Sequence, residues 1–391
     1  MKKVFLLLAL ASMIVACGSS SEKEKVAQQQ LPPNNEIWYT SSDGTIVVPK
    51  AQGKVVFGAE IESNTYKNGK GIIKFNGDVK MIGEYAFNDC DNLTSVTIPN
   101  SVTMIGDDAF LRCSNLTSVT IPNSVTTIGD DAFMFCHGLT SVTIPNNVTE
   151  IGKSAFWLCS NLKSVTIPNS VTTIGDRAFG YCSNLTSVTI PNSVTTIGEW
   201  AFGNCSNLTS VTIPNSVTTI REGAFGYCKS LKSVTIPDSV KTIGEYAFYS
   251  CKNLTSVTIP NSVTTIEDGA FGGCCNLKEF KGGFASGDGR CLIINGKLVA
   301  FAPAGITEYT IPNSVTAIGG HAFRECSSLT SVTIPNSVTT IEYYAFAWCS
   351  NLKSVTIPNS VTTIESYAFH ECDNLSEETK NKIKKIDPWA L

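Results

Sequence analysis

Fifteen cysteines are the first residues in this chain whose type and spacing could do chemistry. Twelve occupy one recurring position, from Cys90, Cys113 and Cys136 through to Cys326, Cys349 and Cys372, and three stand apart: Cys17, Cys275 and Cys291. So many cysteines could be a disulfide framework or a row of buried thiols. Equivalent positions on stacked strands lie about 4.8 Å apart with parallel side chains. A disulfide needs Cβ atoms about 3.8 Å apart and a dihedral of roughly 90°. The regular column therefore predicts small buried apolar thiols. Some bridging is the alternative, with Cys274-Cys275 the best-placed exception. No Cys-x-x-Cys and no Cys/His cluster at ligand spacing occurs, so no zinc site is expected.

The other chemical candidates are weaker. His137, His321 and His370 fall in different repeats, on the variable turn, and are expected at the surface rather than as bases. Asp107-Asp108 and Asp130-Asp131 resemble paired carboxylates or calcium ligands. Each pair follows a Gly just before an expected helical turn, where an acid suits the N-terminus. There is no Gly-x-Ser-x-Gly, phosphate loop, dinucleotide fingerprint or His-Glu-x-x-His, so neither an enzyme nor a cofactor is expected. Ser118/Thr120 and their equivalents, such as Ser187/Thr189, form a hydroxyl array like that of an ice-binding surface, but β-branched Thr simply suits an exposed strand. Lys163, Lys232, Lys278 and Lys353 punctuate the array and discourage edge pairing. A formal charge of −4 and 16% charged residues exclude a surface built for nucleic acid.

The elements that position these residues belong to a 23-residue unit, clearest as LTSVTIPNSVTTIGDDAFMFCHG from Leu116 to Gly138. Its Pro recurs from Pro99 to Pro260 and again from Pro312, and its Ala-Phe pair recurs from Ala86-Phe87 to Ala368-Phe369. A period of this length means a solenoid whose turns bury their apolar faces on one another. Val119 and Ile121 alternate with Ser118 and Thr120, as in a half-buried strand. Pro122 ends that strand because it has no ladder donor. Val125 and Ile128 make a second apolar pair, and Gly129 permits a bend. Ala132, Phe133 and Cys136 fit one helical turn.

Leu-x-x-Val-x-Ile resembles the leucine-rich-repeat strand, and the Ile-Pro, Ile-Gly and Ala-Phe-x-x-Cys additions resemble the BspA-like family of bacterial surface proteins. The resemblance covers roughly Val79 to Leu375. It implies a leucine-rich-repeat right-handed coil with a parallel β-sheet and short helical turns, and no catalytic chemistry. It also implies adhesion to host matrix proteins, other cells or glycans.

Outside the repeats the chain divides further. Residues 1–16 have the basic start and short apolar core of a signal peptide. Ile14-Val15-Ala16-Cys17 resembles a bacterial lipobox, which implies lipid attachment at Cys17 and an outer-membrane anchor. Residues 17–35 are polar and expected to be a flexible tether. Residues 36–78 form a β-rich N-terminal cap over the open end, with hairpin turns expected at Asp43-Gly44 and Asn68-Gly69. The solenoid spans 79–375, interrupted at 278–304 by a hairpin about Asn295-Gly296 that protrudes or bends the coil. Residues 376–391 form a C-terminal cap, with Ser376 capping a helix.

Comparing the repeats with one another separates constant from variable positions. The strands hardly vary, whereas the pairs flanking Ala-Phe vary widely and carry Trp157, Tyr181, Trp200, Tyr227, Tyr246, Tyr344 and Trp348. Aromatic residues are enriched at binding hot spots, so these seven are the candidate ligand contacts. Neutral drift on an unconstrained face is the alternative. The expected function is a surface-exposed, lipid-anchored scaffold that binds an extracellular protein or glycan, with a structural spacer as the second reading.

Overall fold

Ser-Val-Thr and Thr-Ile, the two β-prone stretches of each unit, form strands along the computed structural model, which describes residues 31–391. Ser164–Thr166 pairs in parallel with Ser141–Thr143 on one side and Ser187–Thr189 on the other, each residue facing its equivalent one period away. Thr173–Ile174 pairs likewise with Thr196–Ile197. The chain is thus a parallel-strand β-solenoid of about twelve turns with little helix. Val165 points inward while Ser164 and Thr166 face water, the alternation that the strand pleat imposes.

The Ala-Phe arm differs from the helical turn expected of it. Among the described residues, no repeat contains α-helix. The residue before Ala and the residue before Cys take left-handed φ, as in Arg177 at 57° and Tyr181 at 59°. Such a residue ends a helix instead of extending it. Its amides therefore reach the next rung: Arg177, Phe179 and Tyr181 donate to the carbonyls of Glu199, Ala201 and Gly203 at 2.8, 2.8 and 2.7 Å. This makes a third parallel ladder. The acids after the Gly cap it rather than a helix, Asp107 accepting from the Asp130 amide at 2.9 Å and Asp130 from the Lys153 amide at 2.7 Å.

Inside the arm, the repeated Phe rings stack nearly coplanar in a buried column, Phe202 lying 5.4 Å from Phe179 and 5.6 Å from Phe225. The cysteines run beside them. Cys205 donates through Sγ to the Phe179 carbonyl at 3.2 Å, and Cys228 to that of Phe202 at 3.3 Å. Every described cysteine is free, Cys274, Cys275 and Cys291 included. Burial pushes the column's thiols from Cys136 to Cys274 up, Cys228 to about 12, so this stretch is a hydrogen-bonded thiol ladder with little thiolate to react.

Both ends are closed, with two departures from expectation at the first. Strand β1 (Glu36–Ser41) lies antiparallel between β3 (Lys70–Phe75) and the first repeat strand, Leu93–Thr97. Asn68-Gly69 joins β2 (Ile61–Lys67) to β3 as a tight turn with φ 51° and 78°. Asp43-Gly44 makes no hairpin: Asp43 Oδ1 binds the Thr45 amide at 2.9 Å, and the irregular strap after it buries Val47. The ordered cap also begins earlier than Glu36, because Pro32 is buried and the Asn34 and Asn35 carbonyls accept from Val79 and Phe75. At the far end, Ser376 caps the helix Glu377–Ile386, accepting from the Thr379 amide. Trp389 and Ala390 then supply carbonyls to Tyr367 and Phe369, replacing the next rung.

The interruption does not protrude. Glu279–Lys281 still pairs with Ser256–Thr258. Cys291–Ile294 and Lys297–Phe301 form the expected hairpin about Asn295-Gly296. Lys297 and Leu298 pair in parallel with Ala317 and Ile318, so the hairpin's second strand substitutes for the Thr-Ile strand of a turn. Leu298, Val299, Ala300 and Phe301 are buried, which removes the hairpin as an exposed binding feature.

Candidate ligand-binding face

The third ladder places three columns of variable side chains on one face: the position before Ala, the position after Phe, and the position before Cys. Trp200, Tyr246 and Tyr344 occupy the first, Trp157 the second, and Tyr181, Tyr227 and Trp348 the last. Four of them converge. Trp157, Tyr181, Trp200 and Tyr227 line a cleft of about 290 Å³ together with Arg177 and Asn204. Trp157 meets Tyr181 edge-on at 5.7 Å, and Trp200 lies 6.3 Å from Tyr227. Trp200 and Tyr227 continue into a second cleft of about 210 Å³, where Tyr246 joins them. Tyr344 and Trp348 lie beyond the interruption, tied to this series by Arg324, whose guanidinium sits 3.8 Å over the Trp348 ring and 5.2 Å from that of Tyr249.

The floor beneath these rings is glycine. A Cβ on Gly180 would stand 2.8 Å from Trp157 Cδ1, and one on Gly203 2.8 Å from Trp200 Cε3. On Gly223 it would meet the Trp200 indole at 2.3 Å. Trp200 therefore lies face-down on backbone stripped of side chains at Gly223, and Trp157 rests its pyrrole edge over Gly180. Trp200 is held there by its Nε1–H, which donates to Glu222 at 3.2 Å. These glycines, with Arg177, Asn204, Tyr249 and Arg324, escape a search for chemical residue types. A signal was nonetheless present: Trp157, Trp200, Tyr246 and Tyr249 are each followed one period later by Gly, at 180, 223, 269 and 272.

Where the interruption splits the array, side chains take over from the ladder. Lys297 bridges Asp268 at 2.8 Å and Glu342 at 2.6 Å, and Lys252 meets Glu325 at 3.0 Å. Burial alone would depress Lys297, but its two hydrogen-bonded carboxylates reverse this and hold it above its ordinary value. His321 is buried here, at 3% exposure, against the expectation that it lies at the surface. Its Nε2 is 2.9 Å from the Tyr246 hydroxyl and its Nδ1 3.3 Å from Arg324. The irregular turn sets His321 against Tyr246, Tyr249 and Tyr343, which cover its ring, and it borders the second cleft only at its edge. His137 and His370 remain partly exposed, as expected. Burial, and secondarily the Arg324 charge, push His321 down to about 4. Burial beside Glu245 pushes Tyr246 up to about 12, keeping it a phenol.

A buried thiol column, three parallel ladders and a face of variable rings define a leucine-rich-repeat solenoid. Among the described residues no His, Cys, Asp and Glu cluster has the makings of a metal site, and no helix is long and apolar enough to cross a membrane. The chain belongs to the BspA-type leucine-rich-repeat family, which it matches over residues 59–186, 172–284 and 297–391. It is similar to a solved leucine-rich repeat protein from Bacteroides ovatus at 32% identity and TM-score 0.57, covering 79% of this chain and 83% of that one. A leucine-rich cell surface protein from Faecalibacterium prausnitzii is 27% identical, with TM-score 0.51 and 88% and 86% coverage. A leucine-rich repeat protein from Eubacterium ventriosum is 25% identical, with TM-score 0.50 and 86% and 95% coverage. No curated protein is significantly similar to the chain.

Proposed function

We propose that the protein is a non-enzymatic binding scaffold displayed at the cell surface, anchored through lipid at Cys17, and that its ligands dock on the Ala-Phe face. The family and the cell surface protein among its structural relatives support the display; the anchor rests on the Ile-Val-Ala-Cys sequence, which lies outside the described residues. Host matrix proteins, other cells and glycans are the ligand classes that fit an adhesive role.

The observation that carries the docking face is where its rings sit. Tyr181, Trp200, Tyr227, Tyr246, Tyr344 and Trp348 all hold φ between 52° and 60°. A bulky side chain in that region costs roughly 1–2 kcal/mol relative to glycine, which stands at the same repeat positions as Gly223, Gly269 and Gly273. Packing does not compensate fully, since Tyr181 stays 45% exposed. Rings retained at left-handed positions, exposed at Tyr181 and half-buried at the other five, mark a binding surface better than they mark a spacer.

The test uses the full chain carrying Cys17→Ala, screened against immobilised matrix proteins and a glycan array. Trp200→Ala and Tyr246→Ala should weaken whatever binding is found, while Lys163→Glu and Thr189→Lys on the strand face should not. Loss confined to the strand-face variants would move the site to the hydroxyl array.

A further inference from the structure

We infer that the glycine-floored trough between Trp157 and Tyr249 is a site for a linear glycan, whose sugars lie along the solenoid axis and stack on the Trp157 and Trp200 faces. This rests on the binding-scaffold reading above and names the ligand class.

Three features point to sugar. The first is the shape of the floor. The position after Phe is Trp157, then Gly180, Gly203 and Gly226, then Tyr249, so three successive bare rungs lie between two aromatic walls. Trp200 lies across this strip, and a Cβ on Gly226 would stand 3.0 Å from its Cζ3. The indole is thus pressed to the backbone on one side. Its other side, half-buried overall, borders the cleft. A pyranose offers a flat C–H face that packs on such a ring.

The second is hydrogen bonding. The floor has no free backbone groups to offer. The Gly180, Gly203 and Gly226 amides donate to Arg177, Trp200 and Gly223, and their carbonyls accept from Leu158, Tyr181 and Asn204, at 2.7–2.9 Å. An extended peptide laid here would lose water from its own amides without regaining partners, a costly exchange. A glycan keeps its backbone free of amide donors. Its hydroxyls point sideways, to the Asn204 amide, the Arg177 guanidinium and solvent.

The third is repeat and charge. Trp157 to Tyr249 spans four rung steps, about 19 Å at the strand spacing of about 4.8 Å, and one pyranose advances a linear chain by about one rung. Arg177 is the one cation lining the first cleft, which suits a neutral chain or one with isolated acids and not a dense polyanion.

The experiment measures binding of linear oligosaccharides, two to eight sugars long, to the full chain carrying Cys17→Ala. Chains are chosen from a glycan array and titrated by calorimetry, with the matrix-protein screen run in parallel. Affinity should rise with length and level off at about four to five sugars, as the rung steps dictate. Trp200→Ala and Trp157→Ala should each lower it roughly tenfold or more. Trp200→Phe should retain most of it. Gly203→Leu, whose side chain lifts the Trp200 ring off the floor, should abolish it, and a melt that still shows one cooperative transition separates a lost site from a lost fold. Thr189→Lys should have no effect. Glycan binding that survives both Trp200→Ala and Gly203→Leu overturns the assignment. Matrix-protein binding without binding to any glycan overturns it too, yet leaves the scaffold reading standing. No binding of either kind removes both.

Discussion

His321 should make the interrupted region of the solenoid sensitive to acid, and the size of the effect follows from its surroundings. Arg324 has only donors, so Nδ1 must accept from it. Nε2–H then donates to the Tyr246 hydroxyl. Tyr343 and Tyr344 crowd the ring, with centroids at 4.9 and 5.4 Å, and Tyr249 closes it at 6.4 Å. A second proton would have to sit on Nδ1, against the Arg324 guanidinium. The folded value of about 4 lies below the ordinary 6.5. The unfolded chain therefore binds the proton first as pH falls, and stability present above pH 6.5 is lost on the way down to pH 4. At 1.36 kcal/mol per unit this is roughly 3 kcal/mol in all. The three His side chains give three imidazole signals by NMR. One should remain neutral at pH 5. Urea melts at pH 7 and pH 4.5 should show a larger acid loss for the wild type than for His321→Gln, by about 2–3 kcal/mol. Parallel losses in the two proteins, or three imidazoles titrating near pH 6.5, would refute the buried neutral ring.

Four further outcomes are expected. Phe202→Ala removes a ring that is 0% exposed and stacked on both sides; it should cost roughly 3–5 kcal/mol in a reversible urea melt, and a loss below about 1 kcal/mol would place the ring at the surface. Gly223→Ala puts a Cβ against Trp200 at a φ of 55°, so it should cost roughly 1–3 kcal/mol and shift the indole fluorescence, whereas an unchanged emission spectrum would mean the ring does not rest there. Thiol titration without reductant should find the cysteine column free in denatured protein and largely protected in native protein; a bridged column would reverse the account of the ladder. Cys17→Ala should move the protein from the membrane fraction to the soluble one, and unchanged partitioning would end the lipid-anchor proposal.

The strands and the solenoid were legible because their cause is local and repeated. Period-2 alternation at Val119 and Ile121, with a Pro after it, leaves few alternatives, and twelve copies remove chance. The arm was less legible because Ala-Phe-x-x-Cys has helical spacing, while the decision against helix is made between rungs. Carbonyls of the following turn accept the arm's amides, and a single unit contains no trace of that. Asp43-Gly44 misled for a similar reason: β1 has a longer partner in Leu93–Thr97, so the local hairpin loses. His321 could not be foreseen as buried, because what buries it is the irregular turn at 278–304, which sets it against Tyr246, 75 residues earlier, and an interruption of that kind leaves no mark at the residue concerned.

The seven aromatic residues were picked out by their variability, and variability alone does not separate a site from drift. What separates three of them, Trp157, Trp200 and Tyr246, and adds Tyr249, is coupling. Drift at one position should be independent of the residue one period later, yet Trp157, Trp200, Tyr246 and Tyr249 are each answered there by glycine. Gly180 and Gly272 hold no positive φ, so backbone strain does not ask for glycine at those two; only the ring above does, Trp157 at 2.8 Å from one Cβ position and Tyr249 at 3.2 Å from the other. The rungs have thus adapted to the rings. A ring that merely tolerated its place would meet the ordinary Asn, Leu or Met of the same column in Asn88, Leu111 and Met134, and would be pushed off the backbone into solvent. Holding it flat keeps one face covered and the other turned to the cleft. Among repeats otherwise so nearly identical, that is a feature the fold does not need and a ligand can use.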